Sequence, residues 1–340
     1  MKYKLFGNTG LRVSEICLGT MTFGKEVDWG SSKEEAQSIF DAYANIGGNF
    51  IDTANKYTNG TSEKFLGDFI KKNREYFVLA TKYTGSMNPT DPNAGGNSRK
   101  NMMQSVEASL KRLDTEYIDI LWLHIWDETT PAEEIMRGLD DLIRSGKVNY
   151  VGISDTPAWV IAKCNTLAEL RGWSAFVGLQ IEYNLIERSV EQELIPLAKH
   201  FKMTVTPWSP LRMGILAGKY TRETKGPKRL DTLTEFYDLD ERSLVIAKKV
   251  DEIADNLNKS SAQVALNWLR AQENMVPIIG ARTLEQLNDN LACTEWNLYK
   301  DDINALNEVS KLDPIFPNNF WNKPFVREFV FGKTESAIDK

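Results

Sequence analysis

In residues 118–154, "IDILWLHIWDETTPAEEIMRGLDDLIRSGKVNYVGIS", two apolar runs flank a helical one. The runs "IDILWLH" (118–124) and "YVGIS" (150–154) are near-continuously hydrophobic, as strands covered on both faces of a parallel sheet should be. Between them, over 131–146, Ile135, Met136, Leu139, Leu142 and Ile143 share one face of a helix that Pro131 opens and Gly146 closes. The stretch therefore predicts strand, helix and parallel strand, the unit of an α/β fold.

The same alternation extends in both directions. Further strand-like runs are "EICLGT" (15–20), "NFIDTA" (49–54), "YFVLATK" (76–82), "VGLQIEYN" (177–184), "MTVTPWS" (203–209) and "VPIIGA" (276–281). Segments of helical period lie between them. One is "SSKEEAQSIFDAYANIGG" (31–48), with Ser32 and Glu35 spaced as a capping box; others fall at 62–73, 97–114, 157–171, 189–201 and 283–292. Eight strands alternating with helices predict a (β/α)8 TIM barrel, which needs roughly 250 residues. A doubly wound open sheet is the competing architecture, because periodicity does not reveal closure. The remainder reads as decoration: an N-terminal β-hairpin over 2–14 turning at Asn8-Thr9-Gly10, extra helices near 241–256 and 260–272 after a charged loop (221–240), and an irregular C-terminal tail from Asp313 lying across the barrel. With no low-complexity linker and no internal repeat, residues 1–340 are expected to form a single domain.

Composition narrows the function. The chain has 340 residues, 42% hydrophobic and 26% charged, with net charge −6, and a pI near 5.3. There is no basic footprint for nucleic acid or an anionic membrane. No apolar run approaches the ~18 residues of a membrane span, and "MKYKLFGNTG" lacks the core of a signal peptide, so a cytoplasmic protein is expected. Cys17, Cys164 and Cys293 are scattered and read as reduced thiols. His124 and His200 are the only histidines and have no ligand spacing, so no metal site is expected.

Chemistry in such barrels collects at the C-terminal ends of the strands. Those ends read Thr20, Asp52, Lys82, His124, Ser154, Gln180, Trp208–Ser209 and Gly280–Arg282, with Tyr57 just past Asp52. Singly, each has a structural explanation: a solvated lysine, a core histidine, a turn-capping aspartate, a core tryptophan. Together Asp52, Tyr57, Lys82 and His124 solve one problem. A free tyrosine has a pKa near ~10 and is a poor acid at neutral pH. A lysine ammonium beside it lowers that value, an aspartate anchors the lysine, and a histidine orients a carbonyl oxygen. Such a site delivers a proton to a developing alkoxide. No side chain supplies the accompanying hydride, so a nicotinamide cofactor is implied.

No Gly-x-Gly-x-x-Gly follows a strand, which excludes the Rossmann route. "GILAGKY" (214–220) is one residue short of a phosphate loop and ends in Tyr220 where Ser or Thr is needed. Its backbone amides can still wrap a pyrophosphate, and Arg282 opens a helix where a phosphate would fit. Trp208 offers a flat face for a ring.

The stretches "FIDTANKYTNGTSEKFLG", "VLATK", "LWLH", "SGKVNYVGIS", "LQIEYNLIER", "TPWSPL" and "IIGARTLEQLNDNL" together resemble the aldo-keto reductase family over nearly the whole barrel. The resemblance implies NADPH-dependent, reversible reduction of aldehydes or ketones. In it Tyr57 is the general acid, Lys82 and Asp52 tune it, and His124 orients the carbonyl. Gly19, Thr20 and Met21 match cofactor-side residues after the first barrel strand, and Asp52 also borders the cofactor. Ser154 and Gln180 match the holders of the nicotinamide carboxamide, and Trp208 matches the aromatic that stacks on its ring. Ser209, Pro210, Leu211, Met213, Gly214, Gly218 and Lys219 match the pyrophosphate loop. Gly280, Arg282, Gln286 and Asn290 match the adenine and 2′-phosphate end, which implies NADPH over NADH. Asp155 departs from the pattern, standing where many relatives have Asn. Residues 83–101 form a long loop whose Gly and Pro content suggests mobility. The chain looks closer to the bacterial-type and potassium-channel-β-like branch than to the mammalian aldose reductases. The competing function is therefore an NADPH-binding regulatory subunit of a membrane protein, and a homo-oligomer is a possible state.

Overall fold

The structure is a computed structural model that describes residues 1–222 and 239–338. The charged loop expected at 221–240 lies almost wholly outside the described residues.

A short antiparallel hairpin, β1 (Tyr3–Leu5) and β2 (Arg12–Ser14), precedes eight parallel strands. These are β3 (Cys17–Gly19), β4 (Phe50–Asp52), β5 (Val78–Tyr83), β6 (Ile118–Leu123), β7 (Val148–Ser154), β8 (Phe176–Glu182), β9 (Thr204–Trp208) and β10 (Ile278–Ile279), in sheet order β10-β3-β4-β5-β6-β7-β8-β9. The ring closes where Val205 N donates to Asn274 O at 3.0 Å and Val276 N donates to Val205 O at 2.9 Å. The barrel is thus nearly closed, and the open-sheet alternative falls.

Between the strands run α1 (Lys33–Asn45), α2 (Thr61–Ile70), α3 (Arg99–Leu113), α4 (Ala132–Arg144), α5 (Ala158–Arg171), α6 (Leu194–His200), α7 (Glu241–Leu257), α8 (Ser261–Arg270) and α9 (Leu284–Leu291). The expected Ser32–Glu35 capping box opens α1. On α4, Ile135, Met136, Leu139 and Leu142 are buried together with the outward-facing Leu121, Leu123, Val151 and Ile153. Strand periodicity turns the alternate residues inward. Phe50, Val78, Ala80, Ile120 and Trp122 fill the barrel with Phe6, which the hairpin inserts from the N-terminal end of the strands. Phe6 meets Phe50 and Trp122 edge-on, with ring centres 5.5 and 6.2 Å apart. That end is plugged, so the next inward layer, at the strands' C-terminal ends, is the one left for polar groups.

Glu63 on α2 is wholly buried; it accepts from Thr81 Oγ1 on β5 at 2.6 Å and from Arg112 Nε on α3 at 2.6 Å, tying three elements together outside the barrel wall. Beyond the barrel, α10 (Lys300–Val309) is followed by a tail more helical than its sequence suggested, with α11 (Asn318–Trp321) and α12 (Pro324–Phe331). It leaves Phe316, Phe325, Phe329 and Val330 exposed, and Asn318 Nδ2 donates to the Gln192 backbone and side-chain oxygens at 3.1 Å.

Candidate active site

Strand register brings the inward residues to one level. Gly19 stands opposite Asp52, Lys82 opposite Trp122, Ser154 opposite Gln180, and Glu182 opposite Trp208. Asp52, Lys82, Ser154 and Gln180 are buried, while Tyr57, His124 and Trp208 are half-buried at the mouth.

Lys82 Nζ is the hub. It is paired with the Asp52 carboxylate, donates to Thr53 O at 3.0 Å, and donates to Tyr57 OH at 3.1 Å. Gln180 Nε2 donates to the other Asp52 oxygen at 3.0 Å. The His124 ring stands edge-on to Tyr57, centres 6.1 Å apart. All four expected residues of the proton-transfer group are therefore together.

Their electrostatics differ from expectation in one respect. Burial raises the Tyr57 phenol above its ordinary value; Lys82 pulls it down, but Asp52 and Asp155 push it up again, and the net direction is upward. The expected lowering by lysine is present but outweighed. Lys82 itself is raised: burial opposes its charge, but Asp52 and Tyr57 more than compensate, so it stays an ammonium. Burial, then the charge of Lys82, push His124 down to about 3, which keeps the imidazole neutral at physiological pH.

The loop after β5 is pinned beside this group. Asn97 N donates to Asp127 Oδ2 and Asp127 N donates to Asn97 Oδ1, each at 2.7 Å, while Asn97 Nδ2 reaches Ile125 O at 3.0 Å. Thr84 Oγ1 accepts from His124 N at 3.3 Å. A segment expected to be mobile from its composition is thus hydrogen-bonded across to the turn that carries His124.

On the other side of the mouth, Trp208 Nε1 donates to Asp155 Oδ1 at 3.0 Å. Ser154 Oγ is buried without a well-formed hydrogen bond among the described residues, and the Asp155 carboxylate is its polar neighbour. The segment after β9 holds left-handed backbone at Ser209, Arg212, Met213, Gly214 and Gly218. It is fastened to the end of β8 by Asn184 Nδ2, which donates to Ser209 O at 3.1 Å, and by the Arg212–Glu182 ion pair. Pro210 is buried, and Leu211, Met213 and Lys219 are half-buried along the same segment. Thr20 Oγ1 donates to Asp52 O at 3.0 Å, and Met21 follows it half-buried.

Past β10, Gln286 Oε1 accepts from Arg282 N at 3.0 Å and Asn290 Nδ2 donates to Gly280 O at 3.5 Å. Those two side chains shape the turn that presents Arg282. Sequence reading passed over Thr53, Asn184, Glu182 and Arg212. Only Glu182 carried a signal, lying two residues after Gln180 in the same inward phase.

The chain belongs to the aldo/keto reductase family, whose profile matches residues 15–311, and is an oxidoreductase of that class. It is 39% identical over 335 residues to norsolorinic acid reductase B of Dothistroma septosporum, covering 94% of this chain and 84% of that one. It is 35% identical to a norsolorinic acid reductase of Aspergillus flavus, covering 93% and 82%. It is 37% identical to aryl-alcohol dehydrogenase [NADP(+)] of Phanerodontia chrysosporium, covering 91% and 85%. These are fungal reductases and a dehydrogenase, and nothing among them places the chain in the bacterial-type or channel-β-like branch. Among the described residues no helix is long and apolar enough to cross a membrane, and no cluster of metal-ligating side chains occurs.

Proposed function

We propose that the protein reduces aldehydes or ketones to alcohols, and runs the reverse reaction, with NADPH/NADP+ as hydride carrier and Tyr57 as proton donor. The observation that carries this reading is Lys82 Nζ bonded at once to Asp52 and to the Tyr57 hydroxyl. When bound, the dinucleotide supplies a hydride to the carbonyl carbon, and the oxygen becomes an alkoxide. Tyr57 gives that oxygen its proton, and Lys82 stabilises the phenolate left behind. Neutral His124 is suited to hold the carbonyl oxygen without competing as an acid. Asp52 keeps the ammonium in place, and Gln180 keeps Asp52 in place.

The residues present suit a nicotinamide. Ser154 Oγ is a buried polar atom without a well-formed hydrogen bond among the described residues, a cost that a ligand's amide would relieve. Trp208 offers its face, the positive-φ run from Ser209 to Gly218 offers backbone amides for a pyrophosphate, and Arg282 offers charge for a 2′-phosphate. The likeness to the Phanerodontia aryl-alcohol dehydrogenase [NADP(+)] supports both NADP and an aromatic substrate. The mouth agrees. Beyond His124, Ile125 is half exposed, and Trp126 meets Trp159 at the start of α5 edge-on, centres 5.6 Å apart. The test is a panel of aliphatic and aromatic aldehydes and ketones with NADPH, following loss of the reduced cofactor's absorbance. Turnover with aromatic carbonyls is expected, and no turnover with any member would reject the reading.

A further inference from the structure

Asp155 is a carboxylate set into the rim of a site that otherwise fixes its charges in pairs. Asp52 faces Lys82, and Glu182 faces Arg212. Among the described residues Asp155 forms no ion pair; its Oδ1 accepts from a neutral donor, Trp208 Nε1 at 3.0 Å, and its N–H donates to Gln180 O at 3.3 Å. Its backbone is left-handed, with φ +36°, directly after the buried Ser154, whose hydroxyl is near enough to act on the carboxylate. The carboxylate is thus bonded to the very indole on which a nicotinamide would stack.

The two forms of that ring differ in charge. The oxidised ring is a pyridinium cation and the reduced ring is neutral. We propose that Asp155 biases the site toward the oxidised ring, so that NADP+ is held more tightly relative to NADPH than an uncharged residue at this position would allow. The inference rests on the nicotinamide reading given above. In the reaction alcohol + NADP+ ⇌ carbonyl + NADPH + H+, atoms and charge balance whichever residue stands at 155. What changes is the relative affinity of the two cofactor forms, and with it the direction in which the bound reactants are poised.

The other charges around Asp155 do not cancel it. Glu182 on β8 is like-charged and paired with Arg212; Lys82 on β5 attracts the carboxylate but is committed to Asp52 and Tyr57; His124 is neutral. Even at about 12 Å in an effective dielectric of ~20, a unit charge changes a cation's affinity by a factor on the order of ten.

The experiment is calorimetric titration of NADP+ and NADPH, separately, into wild type and Asp155→Asn. Asparagine is the isosteric, uncharged choice and tolerates a left-handed backbone better than other non-glycine residues; Asp155→Gly serves as a second uncharged variant. NADP+ should weaken by a factor on the order of ten while NADPH changes little. The wild-type preference should also fade as pH falls through the Asp155 value, which crowding by the surrounding protein raises to about 6, while Asp155→Asn stays flat. An unchanged ratio of the two affinities, or equal losses for both forms, would overturn the proposal and leave Asp155 as a prop for Trp208. If wild type bound neither form, the functional reading itself would fail, a result distinct from an unchanged ratio.

Discussion

Lys82 Nζ lies 3.1 Å from the Tyr57 hydroxyl and 4.7 Å from the centre of its ring, so the ammonium addresses the oxygen rather than covering the ring face. The phenol can therefore lose its proton to a substrate alkoxide while its phenolate keeps a fixed counter-charge. Tyr57→Phe removes that proton and leaves the cofactor residues untouched. It should lower kcat for carbonyl reduction by a factor on the order of 10²–10⁴ with cofactor affinity nearly unchanged. Steady-state kinetics and cofactor titration check both halves, and near-wild-type kcat would reject the assignment.

On the proposed mechanism Lys82 acts on the substrate only through Tyr57, so its loss should overlap with that of the phenol. Lys82→Met should reduce kcat nearly as much as Tyr57→Phe, and the double variant should be little worse than either. Asp52→Asn should cost less, since the ammonium keeps Thr53 O and Tyr57 OH as partners. Additive losses in the cycle would show that Lys82 serves stability instead.

The titration behaviour sets a pH profile. On the proposed mechanism reduction needs Tyr57 protonated, and its pKa is raised above 10.0, while His124, at about 3, carries no charge change in the working range. The rate of reduction at saturation should be flat from about pH 6.5 to 9 and fall only on the alkaline side. Alcohol oxidation, which needs the phenolate as base, should rise with pH over the same range. A limb near neutrality in the reduction profile would point to a different proton donor.

Arg282 should separate the two dinucleotides. Arg282→Ala should weaken NADPH by about 1.5–3 kcal/mol, the range for a charge-assisted hydrogen bond, and leave NADH almost unchanged. Titrating both cofactors against both proteins measures this, and equal losses would remove Arg282 from the phosphate.

Outside the barrel wall, buried Glu63 has Arg112 as its ion-pair partner. Arg112→Met should destabilise the protein by about 3 kcal/mol, because it strands a buried carboxylate, and adding Glu63→Gln should recover much of that loss. Denaturant unfolding of the three proteins decides it, and a neutral single variant would show that water reaches Glu63.

Much of this site could be read before the fold was seen, because a polar residue ending an apolar strand has one place to go in a barrel. Asp52, Lys82, His124, Ser154 and Gln180 all reached the mouth for that reason. What stayed hidden were bonds between elements far apart in sequence. Asp155 and Trp208 end strands that are not neighbours, and Asn97 meets Asp127 across two loops with no periodic pattern. The net pKa of Tyr57 was misjudged because sequence names its charged neighbours but not the depth at which the hydroxyl sits. Helices α11 and α12 lack the long apolar stripe that marked α4, and so were read as an irregular tail.

The ring of strands is thinnest between β9 and β10, where Ile278–Ile279 is only two residues long and closure rests on the bonds at Val205. A hoop yields where its fastenings are fewest, so elastic compliance should gather along this seam. Trp208 stands on one bank of it, and Gly280 and Arg282 on the other. A molecule seated on both banks would act as a splint across the joint, stiffening the whole cylinder from its softest line.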